Sequence, residues 1–188
     1  MKLLLTFTYG VSLQDWYNNG LLSREVSLYK RLSDKGVHIN FLTFGDKKDL
    51  IHTNSLGKIK VIPIKKFLSS NIPKLHFIKS LFLPLKLRDE FNGVDIIKTN
   101  QLSGSWISCI AKLLFRKKLI IRGGFEKLNR QILFYKEKGV VNTIKYFIQY
   151  ILIFIYELIA YKLADGIIFS NLQDINFIIL FFKLKKNR

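Results

Sequence analysis

Thiols and acidic residues are both scarce in this chain of 188 residues. A single cysteine, Cys109, has no second thiol for a disulfide within the chain, and one thiol excludes a metal site of clustered thiolates. This cysteine usage is typical of a reducing compartment. Only 13 Asp and Glu stand against 31 Lys and Arg, so the formal net charge is +18. A field of that sign attracts anionic lipid or phosphate.

Arginine is also scarce among the cations, with 24 Lys and 7 Arg. Surfaces dedicated to nucleic acid rely on arginine, because its planar guanidinium makes paired contacts to phosphate and to guanine edges. Here the lysines are spread along the whole chain instead. We therefore consider an anionic membrane surface first, and a nucleic acid is an unlikely partner.

The motifs of several enzyme classes are missing as well. The chain has no GxGxxG, no P-loop, no GxSxG and no HExxH, so neither a cofactor nor a catalytic metal is expected from motifs. His38, His52 and His76 are not paired with a second metal ligand at a suitable spacing. We expect structural roles for all three, and a buried core position for Cys109.

Long apolar runs are absent too. The most apolar stretch, Tyr146 to Tyr156, is shorter than the roughly 20 residues that cross a bilayer. The polar residues Lys145, Gln149 and Glu157 predict one narrow polar stripe on an otherwise apolar helix. Two alternatives remain, a helix packed in the core or a helix lying in a membrane interface. We favour a core helix with peripheral contact to a membrane.

What the chain does have is an alternation of short apolar runs with helical stretches. The predicted strands are Leu3–Phe7, Val37–Phe44, Lys58–Ile64, Val94–Ile97, Leu119–Arg122 and Gly166–Ser170. The predicted helices are Gly20–Lys35, Lys74–Phe91, Ser105–Phe115, Val140–Ala164 and Leu172–Leu184. Continuous apolar strands that alternate with helices indicate a parallel sheet covered on both faces. The expected fold is α/β, a doubly wound, mainly parallel, Rossmann-like sheet forming a single domain over residues 1–188.

Ligands of such sheets bind beyond the carboxyl ends of the strands, so the loops at those ends are the candidate site. The first loop and the helix after it offer glycines for close approach, aromatic faces for stacking on a sugar ring, and charges near the positive end of a helix. A plain surface loop before an ordinary helix would explain the same residues. The candidates in this segment are Gly10, Ser12, Trp16, Gly20, Arg24 and Glu25, with Tyr17 as a second aromatic face.

Two further loops carry polar groups suited to a ligand. Asn100 and Gln101 follow the fourth strand, and their amides both donate to and accept from sugar hydroxyls. Capping of the next helix by Ser103 or Ser105 is the alternative explanation for the neighbouring serines. The third loop pairs an arginine with a glycine pair that permits an anion-binding nest, although a tight turn would also use two glycines. Its candidates are Arg122, Gly123, Gly124 and the nearby carboxylate Glu126.

Four segments, in order along almost the whole chain, resemble a known family. They are KLLLTFTYG, GLLSREVSLYKRLSDKGVHINFLTFGDKKDL, VDIIKTNQLSGSWISCIAKLLFRKKLIIRGGF and YELIAYKLADGIIFSNLQD. Together they resemble the N-terminal half of GT-B glycosyltransferases of family 4. The paired glutamates of that family's C-terminal domain have no counterpart here, and Gly123 and Gly124 occupy the loop in which many members place a histidine.

The resemblance implies a sugar transferase that uses a nucleotide-sugar donor. On this basis the chain is the acceptor-side domain, truncated before the C-terminal donor domain, and it is inactive or nearly so alone. The implied partners are a nucleotide-sugar, a glycan or lipid-linked acceptor and a separate donor domain, and the implied location is the cytoplasm, at the inner face of a membrane. A non-catalytic, basic, membrane-peripheral binding module is the alternative.

Overall fold

A computed structural model describes residues 1–68, 73–123 and 144–183 of the chain. Their centre is one parallel sheet with the strand order β3-β2-β1-β4-β5-β6. The strands are β1 (Lys2–Thr6), β2 (His38–Thr43), β3 (Lys60–Pro63), β4 (Ile96–Thr99), β5 (Lys118–Arg122) and β6 (Gly166–Ile168). Each strand in this order pairs in parallel with its neighbours. The expected doubly wound, Rossmann-like α/β fold is confirmed.

Helices connect these strands. In chain order they are α1 (Leu13–Asn18), α2 (Leu22–Asp34), α3 (Thr53–Leu56), α4 (Lys65–Leu68), α5 (Pro73–Leu81), α6 (Leu83–Lys86), α7 (Arg88–Asn92), α8 (Ser105–Phe115), α9 (Ile144–Leu163) and α10 (Leu172–Phe182). A 3-10 helix, Lys47–His52, precedes α3.

The sheet register shows that helices cover both faces. Leu5 of β1 lies opposite Lys98 of β4, so these two side chains point to the same face. On that face the Lys98 ammonium donates to the hydroxyl of Tyr29 on α2. The next residue of β1, Thr6, points to the other face, where its hydroxyl meets that of Ser108 on α8 at 2.8 Å. Helices α2 and α8 therefore lie on opposite faces of the sheet.

Two predicted elements differ from the structure. The segment 74–91 was expected as one helix, but it forms α5, α6 and α7. Pro84 lies at the start of α6, where its missing N–H cannot continue the hydrogen bonds of α5. The loop Tyr9–Gly20 was expected to be irregular, yet it contains the short helix α1. Ser12 caps α1, and Asp15 completes a reciprocal pair of capping bonds.

The polar stripe predicted for helix α9 is divided in the structure, with Gln149 exposed and Glu157 buried. Glu157 is 0% exposed, whereas Ile148, Leu152 and Ile159 are about half exposed. Gln149 is exposed, as expected. The prediction that α9 is packed into the core on most sides is therefore wrong, because its aliphatic side faces outward. Among the helices of the described residues, none is both long and apolar enough to cross a membrane.

Candidate functional site

The strand order places one topological switch point in the sheet. Strands β1 and β4 are hydrogen-bonded neighbours, and the chain leaves β1 toward β2 on one side and leaves β4 toward β5 on the other. In open sheets of this kind, the loops at the carboxyl ends of two such strands diverge and leave a crevice. We refer to this place, bounded by residues 7–12 and 100–104, as the switch-point crevice.

Backbone hydrogen bonds join the two loops where they leave β1 and β4, so any space for a ligand lies beyond these bonds. The N–H of Asn100 donates to the carbonyl of Thr6 at 2.8 Å, and the N–H of Tyr9 donates to the carbonyl of Ser103 at 3.0 Å. Gly104 follows with a φ of +96°. A Cβ at this position would lie 3.0 Å from the Tyr9 nitrogen and 3.3 Å from the Phe7 oxygen. Only glycine fits this conformation and this approach without strain.

Gly104→Ala is therefore expected to lower the free energy of unfolding by about 2 kcal/mol or more, because backbone strain and a close contact add. Gly36→Ala is the matched control. Gly36 has a φ of +86°, but its Cβ would meet no atom within 4 Å. Gly36→Ala should lower the free energy of unfolding by about 1 kcal/mol, because only the backbone conformation is unfavourable for alanine there. Urea unfolding measures both, and equal losses would contradict the role of the close approach.

Asn100 is the most distinctive polar group of the crevice. Its side chain is buried, with 5% of the residue exposed. The amide nitrogen donates to the Thr8 hydroxyl at 3.2 Å, while the amide oxygen has no hydrogen-bond partner among the described residues. If the side-chain amide is rotated by 180°, its oxygen accepts from the Thr8 hydroxyl, and its nitrogen is then the atom without a partner among the described residues. One polar atom of a buried amide is thus left for a group that the described residues do not supply.

A group of charged side chains lies beside the crevice. Glu25, in the first turn of α2, accepts from the Arg24 guanidinium at 2.9 Å and from that of Arg122 at 3.2 Å. Burial raises the pKa of Glu25, but hydrogen bonds and charge from the two arginines outweigh it and hold this pKa below its usual value. The carboxylate therefore stays ionised at neutral pH and fixes both guanidinium groups.

Lys98 is the buried cation of this group, with 7% of the residue exposed. Its ammonium donates to the Tyr29 hydroxyl at 3.0 Å and to the Thr99 carbonyl at 3.3 Å, and the described residues place no carboxylate in ion-pair contact with it. Burial, and then repulsion by Arg122, lowers the pKa of Lys98 to about 8. Burial also raises the pKa of Tyr29, so its hydroxyl stays neutral and accepts the hydrogen bond from the Lys98 ammonium.

Trp16 is not the stacking surface that the sequence suggests. It is 4% exposed, and its ring stacks on Phe7 with centroids 4.2 Å apart. The side chain belongs to the core because α1 turns it inward onto the sheet. Tyr17 is 60% exposed and remains available. Gly10 and Gly20 both have positive φ, at 78° and 65°, so they serve the turns on either side of α1.

The third loop also differs from its expected form. The N–H of Gly123 donates to the carbonyl of Ile168 at 2.8 Å, so it extends the pairing of β5 with β6. That N–H is therefore not free to form an anion-binding nest. Gly124 and Glu126 lie outside the described residues. The capping expected for α8 is absent, since its first residue follows Gly104 and no side chain caps it there.

The structure thus brings some of the predicted residues together and separates others. Asn100 lies in the crevice, and Arg24, Glu25 and Arg122 form one ion-paired group next to it. Gln101 is exposed, and Ser12 serves as a helix cap. The sequence analysis missed Thr8, Tyr29 and Lys98. A lysine within the otherwise apolar strand IIKT was the available signal for the last of these.

These features define the class of protein: a doubly wound α/β domain with buried polar side chains at its switch point. No protein-family model matches the chain, and no curated protein matches it. Within the described residues, no group of three His, Cys, Asp or Glu side chains lies close enough together to hold a metal ion.

Proposed function

We propose that this chain is the acceptor-side domain of a glycosyltransferase. It holds a glycan or lipid-linked acceptor in the switch-point crevice, at the cytoplasmic face of a membrane. A separate donor domain presents the nucleotide-sugar. In the transfer, the bond between the anomeric carbon and the diphosphate breaks and a bond to an acceptor hydroxyl oxygen forms, while the nucleoside diphosphate leaves and takes up the proton of that hydroxyl.

The observation that carries this proposal is the buried amide of Asn100. An unpaired buried acceptor costs about 1–3 kcal/mol, and a hydroxyl group of a ligand removes that cost by donating to it. The hydroxyl of Thr8 lies next to this amide and offers a second polar contact. A sugar presents several hydroxyls at the spacing of neighbouring carbons, so it can engage both groups at once.

Two further points support the same function. The ordered resemblance to GT-B glycosyltransferases of family 4 spans almost the whole chain, and the doubly wound sheet is the fold that it implies. Glu25 and Arg122 form an ion pair at the same end of the sheet as the crevice. Arg122 is the last residue of β5, and Glu25 lies in the first turn of α2, which follows β1 and α1 in the chain. Fixed side chains of this kind orient a ligand with little loss of rotamer freedom.

The test is acceptor binding to Asn100 variants. We expect the purified chain to bind a subset of an array of neutral and phosphate-bearing oligosaccharides, and Asn100→Ala to lower that binding at least tenfold, since a desolvated hydrogen bond is lost. Asn54→Ala is the control, because Asn54 is exposed on α3. The chain alone, given nucleotide-sugars, should show no turnover, because one wall of a cleft excludes little water.

Unchanged array binding by Asn100→Ala would contradict the assignment of the crevice as the acceptor site. Rapid sugar transfer by the chain alone would contradict the need for a separate donor domain.

The second candidate function is a non-catalytic, membrane-peripheral binding module. The observation that favours it is an apolar helical surface on the outer side of α5, α6, α8 and α9, on a chain of net charge +18.

A further inference from the structure

Four helices on one side of the sheet expose an unusual amount of apolar surface. Helix α8 packs against α5, α6 and α9, so the four form one layer. Together with Phe82, which lies between α5 and α6, they carry more than half of the large hydrophobic side chains that the described residues expose. These are Phe77, Ile78, Phe82, Leu85, Leu113, Leu114, Ile148, Ile151, Leu152, Ile155 and Ile159. We call the outer side of these four helices the apolar layer.

Within the apolar layer, α9 presents its aliphatic residues as one continuous stripe. Ile148, Leu152, Ile155 and Ile159 recur at spacings of three and four residues, which places them on one face of a helix. Each is 45–62% exposed. The same helix turns Glu157 fully inward. An amphipathic helix packed on a core normally does the reverse, so the outward aliphatic stripe is typical of a surface that docks on something.

Charge on the apolar layer has only one sign at its surface. The four helices contain a single acidic residue, and this is the buried Glu157. Lys86 is an exposed cation of α6, whereas Lys112 of α8 is held in an ion pair. The neighbouring carboxylate, Asp165, follows α9 and is neutralised by ion pairs with Lys112 and with Lys118 at the start of β5. The remaining acidic residues of the described chain lie on other helices and loops.

We propose that the apolar layer docks on the surface of a bilayer containing anionic lipid, with α9 lying parallel to the membrane plane. The aliphatic stripe enters the boundary between headgroups and acyl chains, and the positive field of the chain, with Lys86 at the edge of the layer, attracts the lipid phosphates. Charge complementarity selects this occupant, since the layer presents cations without exposed carboxylates on a chain of net charge +18. A protein partner would need acidic residues around an apolar centre, whereas an anionic membrane supplies both features over its whole area.

The experiment is co-sedimentation of the full chain with vesicles. One preparation contains phosphatidylcholine alone, and the other contains about a third phosphatidylglycerol, which gives a negative surface potential. We expect at least tenfold stronger binding to the anionic vesicles and a decrease as salt increases, because salt screens the lysines. Part of the binding should persist at high salt, since the aliphatic contacts do not depend on charge.

A double variant, Leu152→Glu with Ile155→Glu, tests the stripe directly and should lower vesicle binding at least tenfold. The matched control is Leu28→Glu with Ile51→Glu. Leu28 is 53% exposed on α2 and Ile51 is 73% exposed in the 3-10 helix, both outside the apolar layer. Both variants change the net charge equally, so a difference between them reports position. Equal circular dichroism spectra and urea midpoints show that both are folded.

Equal binding to the two kinds of vesicle would overturn the proposal, and so would equal effects of the two double variants. The proposal would also be overturned if the chain does not bind vesicles but forms a dimer, and the α9 double variant dissociates that dimer. The last result would assign the layer to a second copy of the chain. The proposal does not depend on the acceptor site. Asn100→Ala should retain vesicle binding, so the two can fail separately.

Discussion

Replacing Trp16 by alanine is expected to lower the free energy of unfolding by about 3–5 kcal/mol, the range for truncating a large aromatic residue in a core. Trp16 is 4% exposed and stacks on Phe7, and its edge meets Phe41 with ring centroids 6.4 Å apart. Alanine would leave a cavity between α1 and the sheet that the surrounding strands cannot close. Urea unfolding followed by circular dichroism measures the loss.

The adjacent residue provides the control for this prediction. Tyr17 is 60% exposed, and its main contact is the ring of His52 at 4.9 Å. Tyr17→Ala should therefore change the free energy of unfolding by about 0.5 kcal/mol or less. If the two substitutions cost the same, Trp16 is not a core residue. In that case the stacking role suggested by the sequence would return for both aromatic residues.

The second large effect is a dependence of stability on pH through Lys98. The pKa of this buried ammonium is about 8, against 10.5 in the unfolded chain. Below pH 8 both states bind the proton, and the folded state bears the whole cost of the buried charge. Between pH 8 and pH 10.5 the unfolded state binds more protons, so the free energy of unfolding rises with pH. The expected contribution from pH 7 to pH 10 is about 2–3 kcal/mol.

Lys98→Met isolates this contribution, because methionine has a similar apolar stem and no charge. The difference in unfolding free energy between the native chain and this variant should change by about 2–3 kcal/mol between pH 7 and pH 10, while every other group cancels. Lys30→Met is the control, since Lys30 is exposed on α2, and its difference should stay flat. A flat difference for Lys98→Met as well would show that its ammonium is solvated in the folded state.

The position of Lys98 also matters for the crevice. Lys98 lies near the end of β4 and Asn100 directly follows this strand, and Arg122 of the next strand raises the local positive potential. Glu25 is held ionised by Arg24 and Arg122 and compensates part of that charge. The affinity for charged acceptors should therefore depend on salt concentration more than the affinity for neutral acceptors. Repeating the oligosaccharide array at high ionic strength measures this difference.

Much of the fold was predictable because its signals are local. Short apolar runs such as LLL of β1 and LII of β5 are stable where both faces of a strand are covered, and helices alternate with them. Neighbouring parallel strands require crossover connections, and these are almost always right-handed. Because the sheet extends from β1 in both directions, crossovers of this one hand place helices on both of its faces. The same reasoning places the ligand loops at the carboxyl ends, where Asn100 and Arg122 lie.

The fold class and the alternation of strands with helices follow from the amino-acid sequence alone, since both are visible in periodicity and chain order. Which side of a helix faces the sheet depends on the packed molecule. The tertiary structure buried Trp16 and Glu157, exposed the aliphatic stripe of α9 and left one atom of the Asn100 amide unpaired. Orientation and hydrogen-bond pairing depend on neighbours distant in sequence, and no local pattern carries that information.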